Sequence, residues 1–385
     1  MSTLQHKIAS GIRKGIAYLA NYQECIGGFV LPSVRKLFTD ASYFKADSYF
    51  PELCKTNGRK STLRIWLEQM GTFLRHGSFN DFYFLYGFDV KNYRKRSDYI
   101  FYPTFHLRRN YLRDVYEDSY KDMAILRDKL LFSCFCSAFC FPSPRVIGTI
   151  NNGVLHRLNE SIDTDVVDFI QQNHINCFAK SLDGQCGIGI YSIEVKDDAF
   201  IVNEKEMSKE DLRTIFSTGK YILQEKVQNQ HPSINALHPY AINTIRLVTI
   251  KTKNGDHVII PPVLRVGTGT STVDNWAKGG LSIGIDTTTN TLREFGFKKP
   301  TYGGKLATHP DTGIKFLGYS VPYMQEAINM AIELHKRLPS IPSIGWDIAI
   351  TTDGPVFIEG NDNWEISLME ACSRGLRKEF KEYFY

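Results

Sequence analysis

Long apolar runs are absent from this chain of 385 residues. No stretch of about 18 consecutive apolar residues occurs, which excludes a predicted transmembrane helix. Residues 1–19 are amphipathic and interrupted by basic side chains, so they lack the apolar core and the cleavage site of a secretion signal. We therefore expect a cytoplasmic protein, and we leave peripheral contact with a membrane surface open.

Zinc-ligand spacing is also lacking among the eight cysteines. Cys134, Cys136 and Cys140 cluster, but they lie in an apolar run with no histidine or further cysteine at the spacing of a zinc site. Free cysteine is among the most buried residue types, and a chain without a secretion signal stays reduced. The cluster is therefore predicted to be three buried free thiols.

No Ser/His/Asp or Cys/His set is evident, and no nucleic-acid recognition motif is present. The composition, 43% hydrophobic and 23% charged, is that of a globular protein with two or three domains. Charge is uneven. Residues 1–120 hold 18 Lys and Arg against 11 Asp and Glu, a balance of +7, and the remainder holds 28 against 30, a balance of −2. The basic, aromatic first third either binds an acidic substrate or an anionic surface, or is a solvated basic face.

Helices and strands are predicted from periodicity and turn signals. The predicted helices cover about 120–140, 207–218, 322–337 and 368–384. The predicted strands include 177–180, 221–227, and the pair 243–251 and 258–266 on either side of an Asn-Gly turn.

Two strands near the end of the chain each carry oxygen ligands. Residues 345–350 and 356–361 are joined by an Asp-Gly turn, which is a strong hairpin signal. Asp347 lies on the first strand, and Glu359 and Asn361 lie two residues apart on the second, where they point to the same side. Mg²⁺ prefers a few hard protein oxygens together with substrate phosphates. The hairpin is either such a metal site or a solvated hairpin with polar ends.

A lysine precedes a glycine-rich turn in the middle of the chain. Lys180 ends a predicted strand, and Gly184, Gly187 and Gly189 follow. Glycines allow close backbone approach to a phosphate, and a neighbouring lysine neutralises its charge. The spacing is neither a P-loop nor a dinucleotide fingerprint, and the turn leads from strand to strand. It is therefore either a flexible hairpin lid or a structural turn.

Three cations follow on later elements. Arg246 and Arg265 lie on neighbouring predicted strands, where guanidinium groups on one side would suit phosphate or carboxylate. Lys278 lies directly before two glycines and offers a further cation. The alternative is surface charge on a solvated sheet face.

The order of these features resembles the ATP-grasp superfamily, over residues 121–385. It looks closest to the sugar-transfer-associated, α-L-glutamate-ligase-like branch. The segments that carry the resemblance are Arg127-Asp128-Lys129, Phe178-Ala179-Lys180, Gln224-Glu225, Asn243-Thr244-Ile245-Arg246, Asp274-Asn275, Gly279-Gly280, His309-Pro310, Gly345-Trp346-Asp347 and Ile358-Glu359-Gly360-Asn361.

The resemblance implies an α+β protein with the ATP-grasp fold, in which two α+β subdomains grip ATP. Residues 1–120 would form a mostly helical, aromatic-rich region for substrate or partner binding. Residues 121–225 would form the lid subdomain with the glycine-rich loop, and 226–385 the C-terminal subdomain with the Mg²⁺ site.

The resemblance also implies roles for single residues. Lys129 and Lys180 would contact the α- and β-phosphates of ATP, and Gly184, Gly187 and Gly189 would close over the triphosphate. Adenine would sit between two sheets. The remaining implied contacts are Gln224, Glu225 and Val227 at the adenine hinge, Asn243 at the ribose, Asp347, Glu359 and Asn361 at one or two Mg²⁺ (with Mn²⁺ as an alternative), and Arg246 and Arg265 at the γ-phosphate and acyl group. Lys278 is a further candidate catalytic residue, as a cation suited to an anion.

The implied activity is an ADP-forming carboxylate–amine ligase. A substrate carboxylate would attack ATP to give an acyl phosphate, and an amine would displace phosphate. The sugar-associated branch implies a sugar acid or an intermediate of polysaccharide biosynthesis joined to an amino acid or amine. The alternatives are an ATP-grasp kinase acting on a hydroxyl, a metal-dependent glycosyltransferase and a non-catalytic binding module. The sequence leaves the oligomeric state open.

Overall fold

The computed structural model describes residues 46–115, 119–158, 160, 163–182 and 189–384, with positions 15 and 19. Gly184 and Gly187, and all but two positions of the amphipathic segment 1–19, lie outside the described residues. Within these ranges, no helix is both long enough and apolar enough to cross a membrane.

The helices and strands alternate along the chain after a helical N-terminal region. The helices are α1 (Pro51–Asn57), α2 (Thr62–His76), α3 (Tyr102–Val115), α4 (Ser119–Arg127), α5 (Lys129–Ala138), α6 (Val166–Gln172), α7 (Lys209–Phe216), α8 (Pro232–Asn235), α9 (Met324–Lys336), α10 (Ser367–Cys372) and α11 (Arg377–Phe384). The strands are β1 (Val146–Asn151), β2 (Val154–Arg157), β3 (Asp163–Asp165), β4 (Cys177–Ser181), β5 (Ile190–Lys196), β6 (Ala199–Val202), β7 (Lys205–Met207), β8 (Lys220–Glu225), β9 (Thr244–Lys251), β10 (His257–Val266), β11 (Leu281–Asp286), β12 (Thr291–Phe297), β13 (Lys305–Leu306), β14 (Ser343–Thr351) and β15 (Gly354–Asn361).

The chain divides into two compact units. The first unit comprises Met1–Met123, Ser233–Trp346 and Asn361–Tyr385, and the second comprises Ala124–Pro232 and Asp347–Gly360. Both boundaries near the C-terminal end fall inside strands, because β14 and β15 each continue from one unit into the other.

The second unit contains an eight-stranded sheet in the order β3-β2-β1-β8-β4-β5-β6-β7. Every neighbouring pair in this sheet is antiparallel. Helices α6 and α7 contribute buried residues such as Ile170 and Phe216 to a core with Ile150, Ala179 and Leu223 of the strands. The helices cover the apolar face of the sheet in this way. A shift of one residue would move the buried side chains of β4 or β8 to the other face, so their burial fixes the register of these strands.

The seven-stranded sheet has the order β13-β12-β11-β10-β9-β14-β15. In the first unit, one hydrophobic cluster joins buried residues of β9 and β10 with α10 and with an aromatic segment of the N-terminal region. Tyr83, Tyr86 and Phe88 are nearly fully buried there, and Trp276 and Trp364 belong to the same cluster. Most of the aromatic residues between positions 82 and 105 therefore form core.

The predicted strands and two of the predicted helices are confirmed. β9 and β10 pair antiparallel around the Asn-Gly turn, and β14 and β15 are neighbouring strands joined at Asp353-Gly354. The helices at 207–218 and 322–337 are present as α7 and α9.

Two predicted helices are each broken into two. The helix predicted over 120–140 is interrupted because the Asp128 side chain accepts hydrogen bonds from the backbone N–H groups of Leu130 and Leu131, which starts a new helix. The helix predicted over 368–384 is interrupted near Gly375, where an added Cβ would lie 2.4 Å from the Asp98 carbonyl oxygen. The backbone there runs too close to a neighbouring segment for a side chain.

The prediction of three buried thiols is correct only for Cys136. Cys134 and Cys140 are exposed, and all three are free. Cys134 lies on the side of α5 opposite the buried residues Phe132 and Cys136, and Cys140 lies beyond the last residue of the helix.

Candidate active site

Two strands of the second unit position a lysine against a glutamine. β4 pairs with β8 so that Phe178 lies opposite Gln224, which places Lys180 and Gln224 diagonally on one face. The Lys180 Nζ donates to Gln224 Oε1 at 2.7 Å, and Gln224 Nε2 donates to the Pro144 carbonyl at 3.1 Å. The glutamine therefore fixes the lysine and is itself fixed by the backbone before β1.

A second lysine lies nearby in the same unit. Lys129 is the first residue of α5, and its Nζ donates to the Ser181 carbonyl, one residue beyond Lys180, at 3.0 Å. Burial lowers the pKa of Lys180 to about 8, Glu359 opposes this change, and Lys129 adds to it. A lysine with this pKa is mostly protonated at neutral pH, and its positive charge interacts with the charges of Glu359 and Lys129.

The two carboxylates of the predicted metal site differ in exposure. Asp347 on β14 is only 4% exposed, and Glu359 on β15 is exposed. A carboxylate as buried as Asp347 is costly unless a cation or hydrogen-bond donors compensate it. Asn361 follows Glu359 by two residues on β15 and points to the same side of that strand. Hard oxygens on neighbouring strands fit the ligand preference of Mg²⁺.

The strand-to-strand course of the glycine-rich turn is confirmed by β4 and β5, which pair antiparallel. Gly189 closes this hairpin with a φ of +71°, and its carbonyl accepts the Ser181 N–H at 2.8 Å. An added Cβ at Gly189 would lie 2.8 Å from Ser181 Cβ, so only glycine fits. The closing of this turn over a triphosphate stays a prediction.

The predicted hinge lines a cavity of about 600 Å³ in the second unit. Glu225 and Val227 contribute to its wall, together with the turn end of the β14–β15 hairpin. The Glu225 carboxylate is held by Arg145, and its backbone N–H donates to the Arg145 carbonyl at 2.9 Å. The lining includes neither Lys129 nor Lys180. The cavity is large enough for a small ligand, but Lys129 and Lys180 lie outside its wall.

Two arginines of the first unit share a sheet face. In the β9–β10 register Arg246 lies opposite Val263 and Arg265 opposite Thr244, so Arg246 and Arg265 are diagonal neighbours on one side, as predicted. Arg265 is 8% exposed, and its guanidinium donates to Asp274 Oδ1 at 2.8 Å.

Asp274 belongs to the candidate site, although the sequence predicted no role for it. Its second carboxylate oxygen accepts the Thr244 N–H at 3.0 Å and also the Thr244 hydroxyl. One buried acid thus joins the strand that carries Arg246 to the guanidinium of Arg265. The sequence signals are an acid nine positions after Arg265 and the Asp274-Asn275 segment of the resemblance, and neither indicates this contact.

Lys278 and Asn243 occupy different environments. Lys278 is exposed at the end of a single turn, Trp276–Lys278, and the following Gly280 passes so close to Asp274 that an added Cβ would lie 2.5 Å from its carbonyl oxygen. Asn243 is 1% exposed, and its amide donates to the carbonyls of Ile234 and His238 and accepts the Gly267 N–H. The amide of Asn243 holds a loop, and its contact with a ribose stays a prediction.

Helix α3 fixes the segment that follows Asn361. Arg113 binds Asp362 at 2.9 Å, and Asp362 is 4% exposed. Arg109 donates to the Trp364 carbonyl and to the Asn363 side chain. These contacts were not predicted, because nothing in residues 1–120 indicated that this helix packs beside the Glu-x-Asn segment.

His238, His309 and Asp311 lie close enough together to suggest a metal site. Their hydrogen bonds indicate a structural role instead. His309 Nε2 bonds the Gly267 carbonyl at 2.9 Å, and His238 Nε2 bonds the Ser271 carbonyl at 2.8 Å. Asp311 accepts the Gly269 N–H at 2.6 Å. The three side chains therefore anchor the loop that follows β10.

A family profile described as sugar-transfer associated ATP-grasp matches residues 106–383, more than two thirds of the chain. The chain belongs to this family. The resemblance found in the sequence is thereby confirmed, and so is the α+β ATP-grasp fold with helices in the N-terminal region. In this ATP-grasp protein the match begins within α3, so that helix is part of the family's common region.

Solved structures with a similar fold include N5-carboxyaminoimidazole ribonucleotide synthetase from Thermotoga maritima, at 12% identity, 64% coverage of this chain, 44% of that chain and a TM-score of 0.36. D-alanine–D-alanine ligase from Bacillus anthracis matches at 12% identity, with 63% and 58% coverage and a TM-score of 0.34. The ATP-grasp protein spans about half the length of these chains. Comparison with curated proteins finds no match.

Proposed function

We propose that the chain is an ATP- and Mg²⁺-dependent carboxylate–amine ligase that acts through an acyl phosphate. The observation that carries the proposal is the group formed by Lys180, Lys129 and Glu359 in the second unit. Lys180 is partly buried and donates a hydrogen bond to Gln224, and the charges of Lys129 and Glu359 both act on its ammonium group. Two cations beside a hard oxygen suit a polyphosphate bound together with a divalent metal ion.

Asp347, Glu359 and Asn361 would hold Mg²⁺. Their donor atoms are hard oxygens, and Asp347 is only 4% exposed, so its attraction for a cation would act in a region of low dielectric. When bound, the metal would neutralise part of the phosphate charge. The metal count, and use of Mn²⁺ in place of Mg²⁺, belong to the same proposal.

The chain's own residues would act by positioning and by charge neutralisation. Lys129 and Lys180 would bind the α- and β-phosphates. Arg246, Arg265 and Lys278 would bind the γ-phosphate and the substrate carboxylate, with Asp274 fixing the orientation of Arg265.

The reaction needs no protein nucleophile. A carboxylate oxygen attacks the γ-phosphorus, and ADP leaves with the electron pair of the broken P–O bond. The amine nitrogen then attacks the acyl carbon, phosphate leaves, and the amine gives up a proton. The family description supports a sugar acid or glycan carboxylate as the acceptor of phosphate, and the amine would be an amino acid or another amine.

The test follows ADP and new mass species after incubation with ATP, Mg²⁺, pooled sugar acids and pooled amino acids. With an ¹⁸O-labelled carboxylate, one label should appear in the released phosphate, because the acyl phosphate passes that oxygen to phosphorus. Hydroxylamine in place of the amine should give a hydroxamate. A phosphorylated hydroxyl product without label transfer would overturn the ligase in favour of a kinase.

Glu359→Gln and Lys180→Met should reduce ADP formation to near background, since each removes a charge from the phosphate site. The matched control is Lys220→Met, an exposed lysine at the start of β8. Full activity in Glu359→Gln would contradict the metal assignment.

A further inference from the structure

Helix α2 exposes apolar side chains on the side that faces solvent. Leu63 is 67% exposed, Trp66 41%, Leu67 56% and Leu74 80%. The opposite side of the helix carries the buried residues Ile65, Gln69 and Thr72. An isolated exposed leucine is ordinary, but four large exposed apolar side chains on one helix form a contiguous surface.

The exposed residues fall on one stripe. Positions 63, 66, 67, 70 and 74 follow the spacing of one helical face, and position 70 is a partly buried methionine. Positions 63 and 74 are 11 residues apart, so the stripe is about 17 Å long at about 1.5 Å per residue. The chain thus has a second apolar face on α2 in addition to the face packed on the protein.

Basic side chains border the stripe on one flank. Arg64, whose side chain is 65% exposed, and Arg75 lie on that side, with Gly71 between them and the leucines. The one acid of α2 is Glu68, and it is already bound by Lys60, Arg64 and Arg96. The surface is therefore apolar in the middle and positive at its edge.

We propose that the α2 stripe binds an anionic lipid surface, with the leucines and Trp66 entering the headgroup region and Arg64 and Arg75 contacting lipid phosphates. Leucine and tryptophan beside arginine are the composition of helices that lie in a membrane interface. The described residues 46–115 hold 12 Lys and Arg against 7 Asp and Glu, a balance of +5, which complements an anionic surface. Five side chains are far fewer than the about 20–30 residues per side of a stable protein interface.

The test is sedimentation of the full chain with vesicles of phosphatidylcholine alone and of phosphatidylcholine with phosphatidylglycerol. The protein should bind the anionic vesicles, bind the neutral vesicles less, and lose binding as salt is raised.

Three variants separate the stripe from general charge. Leu67→Glu and Leu74→Glu should each weaken binding by about tenfold or more, because each removes an inserted leucine. Gly71→Leu should strengthen binding, since an added Cβ there meets nothing within 4 Å and the new side chain widens the stripe. The matched control is Leu317→Glu, at a leucine that is 55% exposed in the first unit and is not part of α2.

Failure of the wild-type chain to bind anionic vesicles at low salt would overturn the proposal. So would equal binding by Leu67→Glu and Leu74→Glu. A dimer in light scattering that Leu74→Glu abolishes, without vesicle binding, would assign the stripe to a second copy of the chain instead.

Discussion

At the scale of single residues, burial changes the protonation of a side chain that we place at the nucleotide phosphates. Lys180 is drawn out of water between β4 and β8, and its pKa falls to about 8. A lysine with its ordinary pKa would keep its charge throughout the neutral and mildly alkaline range. The charge of Lys180 therefore changes with pH in the mildly alkaline range, in which an exposed lysine would keep its charge.

We predict that MgATP affinity is constant below about pH 8 and falls above it. Protonated Lys180 attracts phosphate, so deprotonation in the free protein removes that attraction. The association constant should fall by about tenfold per pH unit until the higher pKa of the complex is reached. Isothermal titration calorimetry from pH 7 to 10 measures this decline.

Lys180→Arg is the control for this dependence, because arginine stays protonated throughout the range. The variant should bind with an affinity that varies less with pH. An equal decline in both proteins would assign the titration to another group.

At the scale of elements, the strand β10 and the loop after it are joined through Asp274. This acid binds Arg265 on β10 and both polar groups of Thr244 on β9. All three residues are buried, so removing the carboxylate removes an ion pair of Arg265 and two hydrogen bonds of Thr244 in a region of low dielectric.

Asp274→Ala should lower the free energy of unfolding by about 3–5 kcal/mol, because it removes the carboxylate that is ion-paired with the buried Arg265 guanidinium. Chemical denaturation measures the change. Asp256→Ala, at an exposed acid in the β9–β10 turn, should change stability by less than about 0.5 kcal/mol. A small effect of Asp274→Ala would show that water or another group replaces the carboxylate.

At the scale of the whole molecule, a buried glutamate links the N-terminal region to the C-terminal helices of the first unit. The Glu370 carboxylate accepts the Ile100 N–H at 3.0 Å and the Leu376 N–H at 2.9 Å. Burial raises its pKa from 4.5 to about 8. The folded protein therefore holds a proton on Glu370 at pH values where the unfolded chain has lost it.

This linkage predicts that thermal stability decreases between pH 5 and pH 8. The contribution of protonated Glu370 is fully present below the unfolded pKa and is lost as pH rises through the folded pKa. Glu370→Gln keeps an acceptor oxygen but does not ionise, so its melting temperature should vary less over this range. If the melting temperatures of the two proteins differed by the same amount at every pH from 5 to 8, this would contradict the assignment to Glu370.

Periodicity and turn signals were enough to predict the strands that carry Lys180, Arg246 and Glu359, because alternating residues on paired strands leave few choices. They did not predict the breaks at Asp128 and Gly375, since a cap and a close backbone approach depend on contacts that periodicity does not contain.

The same limit applies to the candidate site. The Lys180–Gln224 bond follows from the register of β4 and β8, and a sequence does not reveal which strands become neighbours. The contacts of α3 with Asp362 and Asn363 join residues about 250 positions apart. Such pairs are determined by tertiary packing, and local patterns carry no record of them.

The second unit is discontinuous along the chain, and this affects when it can be completed during synthesis. Lys180 is translated 167 residues before Asp347, since 347 − 180 = 167. At about 5–20 residues per second, the ribosome takes on the order of 10–30 s to cover that distance. A nascent or prematurely terminated chain that ends before Asp347 therefore has the two lysines without the two carboxylates, so the proposed chemistry becomes available only after residues 347–359 have been synthesised.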